Sequence, residues 1–196
     1  MTVDVLTVGR LQTNCYLVSD GTEAVCIDPG DEAERILSAA AARGVRISLV
    51  LLTHAHADHF LAADAVRRAS GAPLALLRED AQALRSQLKT LLPFIAPATR
   101  LPAPAERELT DGETVTVGSL CLTVCASPGH TPGGACYAVE AERTVFTGDT
   151  AFAGGGFGRT DFPGGDSRAL QCSLQRLYDR FAGWTAYAGH GPAFTM

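Results

Sequence analysis

The feature that most limits how this chain can fold is the apolar run Ile47–Leu52 together with the segment it feeds. Six residues this apolar read as a strand buried on both faces, which needs covering layers above and below. The run passes straight into Thr53-His54-Ala55-His56-Ala57-Asp58-His59, which places three histidines and one aspartate within six residues. In an extended backbone, residues two apart project to the same side, so His54 and His56 converge on one point. Asp58 and His59 fall where the next helix should begin and aim at a second point nearby. Loops at strand ends are where layered α/β architectures gather their ligands. Imidazole and carboxylate are the ligands of Zn²⁺ and other divalent metals. A loop that is merely polar accounts for one histidine there. It does not account for three with an aspartate, wedged between an apolar strand and an apolar helix.

The remaining pattern alternates. Val3–Val8, Cys15–Ser19 and Ala24–Asp28 read as strands, with a hairpin turn at Asp20-Gly21-Thr22-Glu23. Ala33–Arg43 reads as a helix stopped by Gly44, and Phe60–Ser70 as one stopped by Gly71. Pro73–Leu77 is an expected strand, Glu79–Leu91 a helix and Pro93–Pro104 a surface loop. Short strands follow at Arg107–Leu109, Thr114–Val117, Leu120–Cys125, Ala135–Val139 and Thr144–Phe146. A helix over Asp166–Phe181, capped by Asp or Ser, and a strand at Thr185–Ala188 complete the reading. Strands with helices in both halves suggest two sheets packed face to face with helices outside. Ala24–Asp28 and Thr144–Thr147 each run into a loop carrying Asp and Gly, a faint trace of internal duplication.

Composition narrows the function classes. The chain has 196 residues, a formal charge of −5 and a single lysine, Lys89. The arginines are dispersed, so no basic patch points to nucleic acid or an anionic membrane. No apolar run approaches the roughly 18 residues of a spanning helix, and the N-terminal residues do not resemble an export signal. A cytoplasmic location is therefore expected. The six cysteines (Cys15, Cys26, Cys121, Cys125, Cys136 and Cys172) form no C-x-x-C pair, and buried free thiols are expected.

The chain holds only five histidines, and the other two are also placed unusually. His130 lies in Ser127-Pro128-Gly129-His130-Thr131-Pro132-Gly133-Gly134, and His190 in Ala188-Gly189-His190-Gly191-Pro192. Each follows an expected strand through a Gly/Pro loop. Asp149 repeats the pattern in Thr147-Gly148-Asp149-Thr150. Four strand-end loops thus each present an imidazole or a carboxylate.

These four motifs, in this order, resemble the metallo-β-lactamase superfamily over nearly the whole chain. The resemblance implies one αββα sandwich domain over residues 1–196, two mixed β-sheets flanked by helices, with a dinuclear site at one sheet edge. Carried over position by position, His54, His56 and His130 would bind the first metal, and Asp58, His59 and His190 the second. Asp149 would bridge the two, with a water or hydroxide completing the bridge. Asp58 and Asp149 are then the acidic residues working with the metal-bound hydroxide. Two divalent ions are implied, zinc foremost, with iron and manganese as the other candidates. Asp28 matches an early acidic position of the superfamily and reads as a supporting residue, as do Thr53 and Thr150.

Within the superfamily, Phe146-Thr147-Gly148-Asp149-Thr150, Gly158-Arg159-Thr160-Asp161-Phe162-Pro163-Gly164-Gly165-Asp166 and Gly189-His190-Gly191-Pro192 resemble compact glyoxalase-II-like hydrolases. The implied reaction is hydrolysis of a small-molecule thioester such as lactoylglutathione. The competing resemblance is a persulfide dioxygenase with one Fe(II) on His54, His130 and Asp149. A non-catalytic metal-binding protein is a remote third reading. The length leaves no room for a separate substrate domain, so substrate contacts must come from within; Arg159 and Phe157 are the candidates. The sequence is silent on oligomeric state.

Overall fold

The computed structural model describes residues 1–82, 84 and 103–196. Its strands form two six-stranded sheets. The first runs in the order β1 (Thr2–Val8), β2 (Thr13–Ser19), β3 (Glu23–Ile27), β4 (Arg46–Leu51), β5 (Leu74–Leu77) and β6 (Arg107–Leu109). The second places β7 (Thr114–Val117), β8 (Leu120–Ala126), β9 (Ala135–Val139), β10 (Thr144–Gly148), β11 (Thr185–Ala188) and β12 (Phe194–Thr195) side by side. Helices α1 (Ala33–Arg43), α2 (Ala57–Phe60) and α3 (Ala63–Ser70) belong to the first half, and α4 (Ser167–Phe181) to the second.

Both sheets are mixed, and they are built alike. Each opens as an antiparallel meander, β1-β2-β3 and β7-β8-β9-β10. Each then crosses through a helix to a parallel neighbour, β3-α1-β4 and β10-α4-β11. The strands that lead into Asp28 and Asp149 are the ones that precede these two crossovers. The hint of duplication in the sequence thus has a structural counterpart.

Three apolar clusters separate the layers. Leu49 and Leu51 of β4 point between the sheets, among Tyr16, Val124 and Phe146. Ile47, Val50 and Leu52 point the other way, onto Ile36 of α1 and Val66 of α3. The two-faced burial expected of this run is therefore met by the second sheet on one side and helices on the other. Leu177 and Phe181 of α4 cover the outer face of the second sheet. This is the αββα sandwich of the metallo-β-lactamase fold.

Local signals explain most element ends. Gly44 and Gly71 close α1 and α3 in the left-handed conformation that glycine adopts readily. Asp166 caps α4, its carboxylate accepting from the amides of Arg168 and Ala169 at 2.8 and 3.0 Å.

Four expectations need correction or limits. The helix expected over Phe60–Ser70 is two pieces, because the Ala62 amide donates to the Pro29 carbonyl at 3.0 Å. Cys121 and Cys172 are exposed, while Cys15, Cys26, Cys125 and Cys136 are buried, and all six thiols are free. Cys121 shares the α4-facing side of β8 with Cys125 but does not join the cluster beneath α4; Cys172 lies off the Leu170-Ser173-Leu177 stripe of that helix. The short strand β12 was not anticipated. The helix expected over Glu79–Leu91 begins at residue 78, but beyond residues 82 and 84 it lies outside the described residues, as does most of the Pro93–Pro104 loop.

Candidate metal centre

Strand directions bring the motifs together. β4 runs parallel to β3, and β8, β10 and β11 run parallel to one another, so the C-terminal ends of these strands share edges of their sheets. Hydrogen bonds between the sheets join those edges. Tyr137 Oη donates to the Leu52 carbonyl at 2.6 Å, and the Ala135 amide to that of Thr53 at 2.9 Å. Tyr16 Oη donates to the Ala188 carbonyl at 2.5 Å, and Thr13 bridges to His190.

All seven predicted ligand residues meet there, in two groups. His54 Nε2 lies 3.1 Å from His56 Nδ1, which lies 2.9 Å from His130 Nε2. Three imidazole nitrogens thus face one point, and two cannot hold protons toward each other at these separations without one serving as acceptor. The second group is Asp58, His59 and His190. Asp58 Oδ2 lies 3.5 Å from His59 Nε2 and 3.4 Å from His190 Nε2. Asp149 stands between the groups: Oδ2 is 3.5 Å from His130 Nε2 and 3.6 Å from His190 Nε2, and Oδ1 is 3.4 Å from His59 Nε2.

Two atoms of the site have no partner. Among the described residues, the buried side-chain polar atoms with no hydrogen-bond partner are His59 Nε2, Asp149 Oδ1 and Thr131 Oγ1. Two of the three face each other in this site. A buried polar atom without a partner is costly, and a divalent cation would satisfy both. The residues therefore fit a divalent metal.

The far sides of the rings are held. His59 Nδ1–H donates to Asp28 Oδ2 at 2.8 Å. Thr53 donates to the same carboxylate through its amide (2.7 Å) and hydroxyl (2.6 Å). Since that hydroxyl proton is committed to Asp28, Thr53 Oγ1 accepts from His54 Nδ1–H at 3.1 Å. His130 Nδ1–H donates to the Arg159 carbonyl at 2.7 Å. Each bond sets the tautomer that leaves Nε2 free toward the site. Thr150 meets Ser127, hydroxyl to hydroxyl at 2.8 Å, beneath the His130 loop. Thr13 Oγ1 donates to Asp58 Oδ2 at 2.9 Å.

Electrostatics separate the groups. Burial, then the neighbouring rings, push His54 well below the ordinary histidine range; burial, His130 and His59 bring His56 down to about 3. Both rings are neutral at physiological pH. Burial works against charge on His59 too, but Asp149, Asp28 and Asp58 outweigh it and hold the ring protonated up to about 10. Burial would raise the Asp58 carboxyl, yet His190, His59 and Thr13 keep it well below the usual carboxylate range. This half of the site calls for positive charge, which a cation at His59 Nε2 would supply.

Gly189 makes the packing feasible, since a Cβ there would stand 2.2 Å from Asp149 Oδ1 and 2.8 Å from the His59 ring. A cavity of about 740 Å³ opens above the two groups. Leu11, Phe152, Phe157 and Phe162 give it an apolar mouth. Phe157 is 57% exposed there. Arg159 also lines the cavity, but its guanidinium is committed: it forks onto Asp161 with two bonds of 2.6 Å and stacks 3.9 Å above Phe162. The substrate contact expected of Arg159 thus has a resident competitor in Asp161, and its backbone carbonyl serves His130 instead. Sequence reasoning missed Asp80 entirely. Fully buried, it accepts from the amides of Ala55 and Gly133 at 2.7 and 2.6 Å. Burial raises its carboxyl more than the Ala55 amide lowers it. The available signal was its place just beyond strand β5, the same kind of place as Asp28 and Asp149.

Comparison with known proteins agrees with this geometry. The metallo-beta-lactamase superfamily profile matches residues 8–190. The hydroxyacylglutathione hydrolase GloC of Haemophilus influenzae is 32% identical over 199 residues, 100% of this chain and 93% of that protein. The crystal structure of BLEG-1 B3 metallo-beta-lactamase aligns with a TM-score of 0.90 at 31% identity, covering 99% of this chain and 94% of that one. TTHA1623, solved in a di-iron-bound form, aligns with a TM-score of 0.88 at 35% identity over 98% and 94% of the chains. This chain belongs to the metallo-beta-lactamase superfamily, whose members include metal-dependent hydrolases.

Proposed function

We propose that the chain is a dinuclear metal hydrolase that cleaves thioesters of the glyoxalase II type, with a lactoylglutathione-like substrate. The observation that carries this reading is the pair of convergent ligand groups sharing Asp149 on the floor of one open, apolar-rimmed cavity. The 32% identity to GloC over the full chain supports the substrate class.

In this reading His54, His56 and His130 hold one cation, Asp58, His59 and His190 hold the other, and Asp149 serves both. Divalent cations held there, zinc foremost, would supply a water of lowered pKa and a Lewis acid for a carbonyl oxygen. The chain's own residues do the rest. Asp28, Thr53 and the Arg159 carbonyl keep the imidazoles in ligating tautomers. Leu11, Phe157 and Phe162 seat the apolar part of the substrate. Water adds its oxygen to the thioester carbonyl carbon, the C–S bond breaks, and the departing thiolate takes up the proton that water gives; with a thiol pKa near 8.5 it needs little acid assistance.

The test pairs metal analysis with a thiol-release assay on lactoylglutathione. Two metals per chain with thiol release are expected. One iron per chain with oxygen uptake on glutathione persulfide, or turnover of a β-lactam but no thioester, would overturn the proposal.

A further inference from the structure

The loop that carries His54, His56 and His59 hangs from two buried carboxylates. Strand β4 lies between β3 and β5 in the sheet. From the β3 side, Asp28 takes the Thr53 amide at 2.7 Å and also His59 Nδ1. From the β5 side, Asp80 takes the Ala55 amide at 2.7 Å. The chain bends at Thr53 and His54, so two amides that would share one side of an extended strand turn to carboxylates from opposite neighbours. Asp80 also reaches across to the second sheet, where its other oxygen accepts from the Gly133 amide at 2.6 Å. Ala55 sits between His54 and His56, and Gly133 lies in the loop of His130. The approach is so close that a Cβ on Gly133 would stand 2.2 Å from the Asp80 amide nitrogen and 2.7 Å from Oδ1.

We propose that Asp80 is a positioning residue specific to the first metal position: by bridging the Ala55 and Gly133 amides it sets the separation at which His54, His56 and His130 meet on one cation. It acts through the backbone, since it bonds none of the three imidazoles. Asp28, by contrast, serves both positions, holding His59 directly and His54 through Thr53. The proposal rests on the two-position metal reading above.

The experiment uses cobalt(II) alone as probe, titrated into the full-length protein against a competing chelator. Each position is isolated by removing a ligand from the other: His190→Ala leaves the three-histidine position complete, and His56→Ala leaves the Asp58/His59/His190 position complete. Asp80→Asn keeps the size of the side chain but sets an amide N–H₂ against one of the two backbone donors. It should weaken cobalt binding about 10–100-fold in the His190→Ala background and less than about 3-fold in the His56→Ala background. Asp28→Asn, which disturbs His59 directly and His54 through Thr53, should weaken cobalt binding in both backgrounds. Gly133→Ala, which forces the loop away while keeping the carboxylate, should reproduce the Asp80→Asn pattern and serves if that variant does not fold. Equal loss at both positions, or a lower melting temperature with unchanged affinities, would make Asp80 a general structural residue and sink the proposal. If neither isolated position binds cobalt with Asp80 intact, the metal reading itself fails.

Discussion

Asp149 is the residue on which both halves of the site depend, because its two oxygens face different imidazoles, Oδ1 toward His59 and Oδ2 toward His130 and His190. Asp149→Asn should therefore abolish thiol release and lower occupancy of both metal positions, measured by metal analysis after dialysis; retained activity would remove the bridging role. Arg159 separates side chain from backbone. Its carbonyl orients His130, while its guanidinium is spent on Asp161 and Phe162. Arg159→Ala should keep both metals, because the carbonyl remains; loss of the first metal would show that the side chain, not the carbonyl, orients that ring. The ligands were legible because imidazole at strand ends is rare and has few other uses. Asp80 was not, since an aspartate in the first turn of an expected helix is common on its own account until its burial is known.

At the scale of elements, the ends are set by local chemistry and the interruptions by distant partners. Asp166 caps α4 with two amide contacts, a pattern visible in the sequence. Removing it by Asp166→Ala should cost about 1 kcal/mol and lower the melting temperature by about 2–4 °C, with metal content unchanged. The break between α2 and α3 is the opposite case. Residues 60–70 carry continuous helical periodicity, yet the Ala62 amide is claimed by Pro29 from another loop. Gly30 lies in that same contact, its α-carbon so close to Asp58 that a Cβ would stand 1.8 Å from the Asp58 carbonyl oxygen. The strand-end loop after β3 thus shapes the short helix that presents Asp58 and His59.

For the whole molecule, the ligands come from four loops on two sheets, so bound cations would cross-link the sandwich at its open edge. Stripping the metals with a chelator should lower the melting temperature and restoring them should raise it. At free metal about 1,000-fold above Kd the stabilisation is about 4 kcal/mol per position. An unchanged melting temperature, followed by calorimetry, would mean that the ligand loops are not drawn together by metal. Among the described residues no helix is long and apolar enough to cross a membrane, in keeping with the apolar runs read from the sequence.

The sequence by itself determined the layered α/β class, most of the strands and which histidines and aspartates are the candidate ligands. It could do so because hydrophobic period, glycine stops and clustered imidazoles are local signals. Only the tertiary structure decided that His130 and His190 close on the His54–His59 loop, that Asp28 and Asp80 grip that loop from both sides, and that Arg159 is already paired. These depend on which strand ends share an edge and which buried amide finds which carboxylate. Apart from Arg159, whose partner Asp161 is two residues on, such pairings join residues 25 to 132 positions apart, a separation at which local sequence carries no record of its partner.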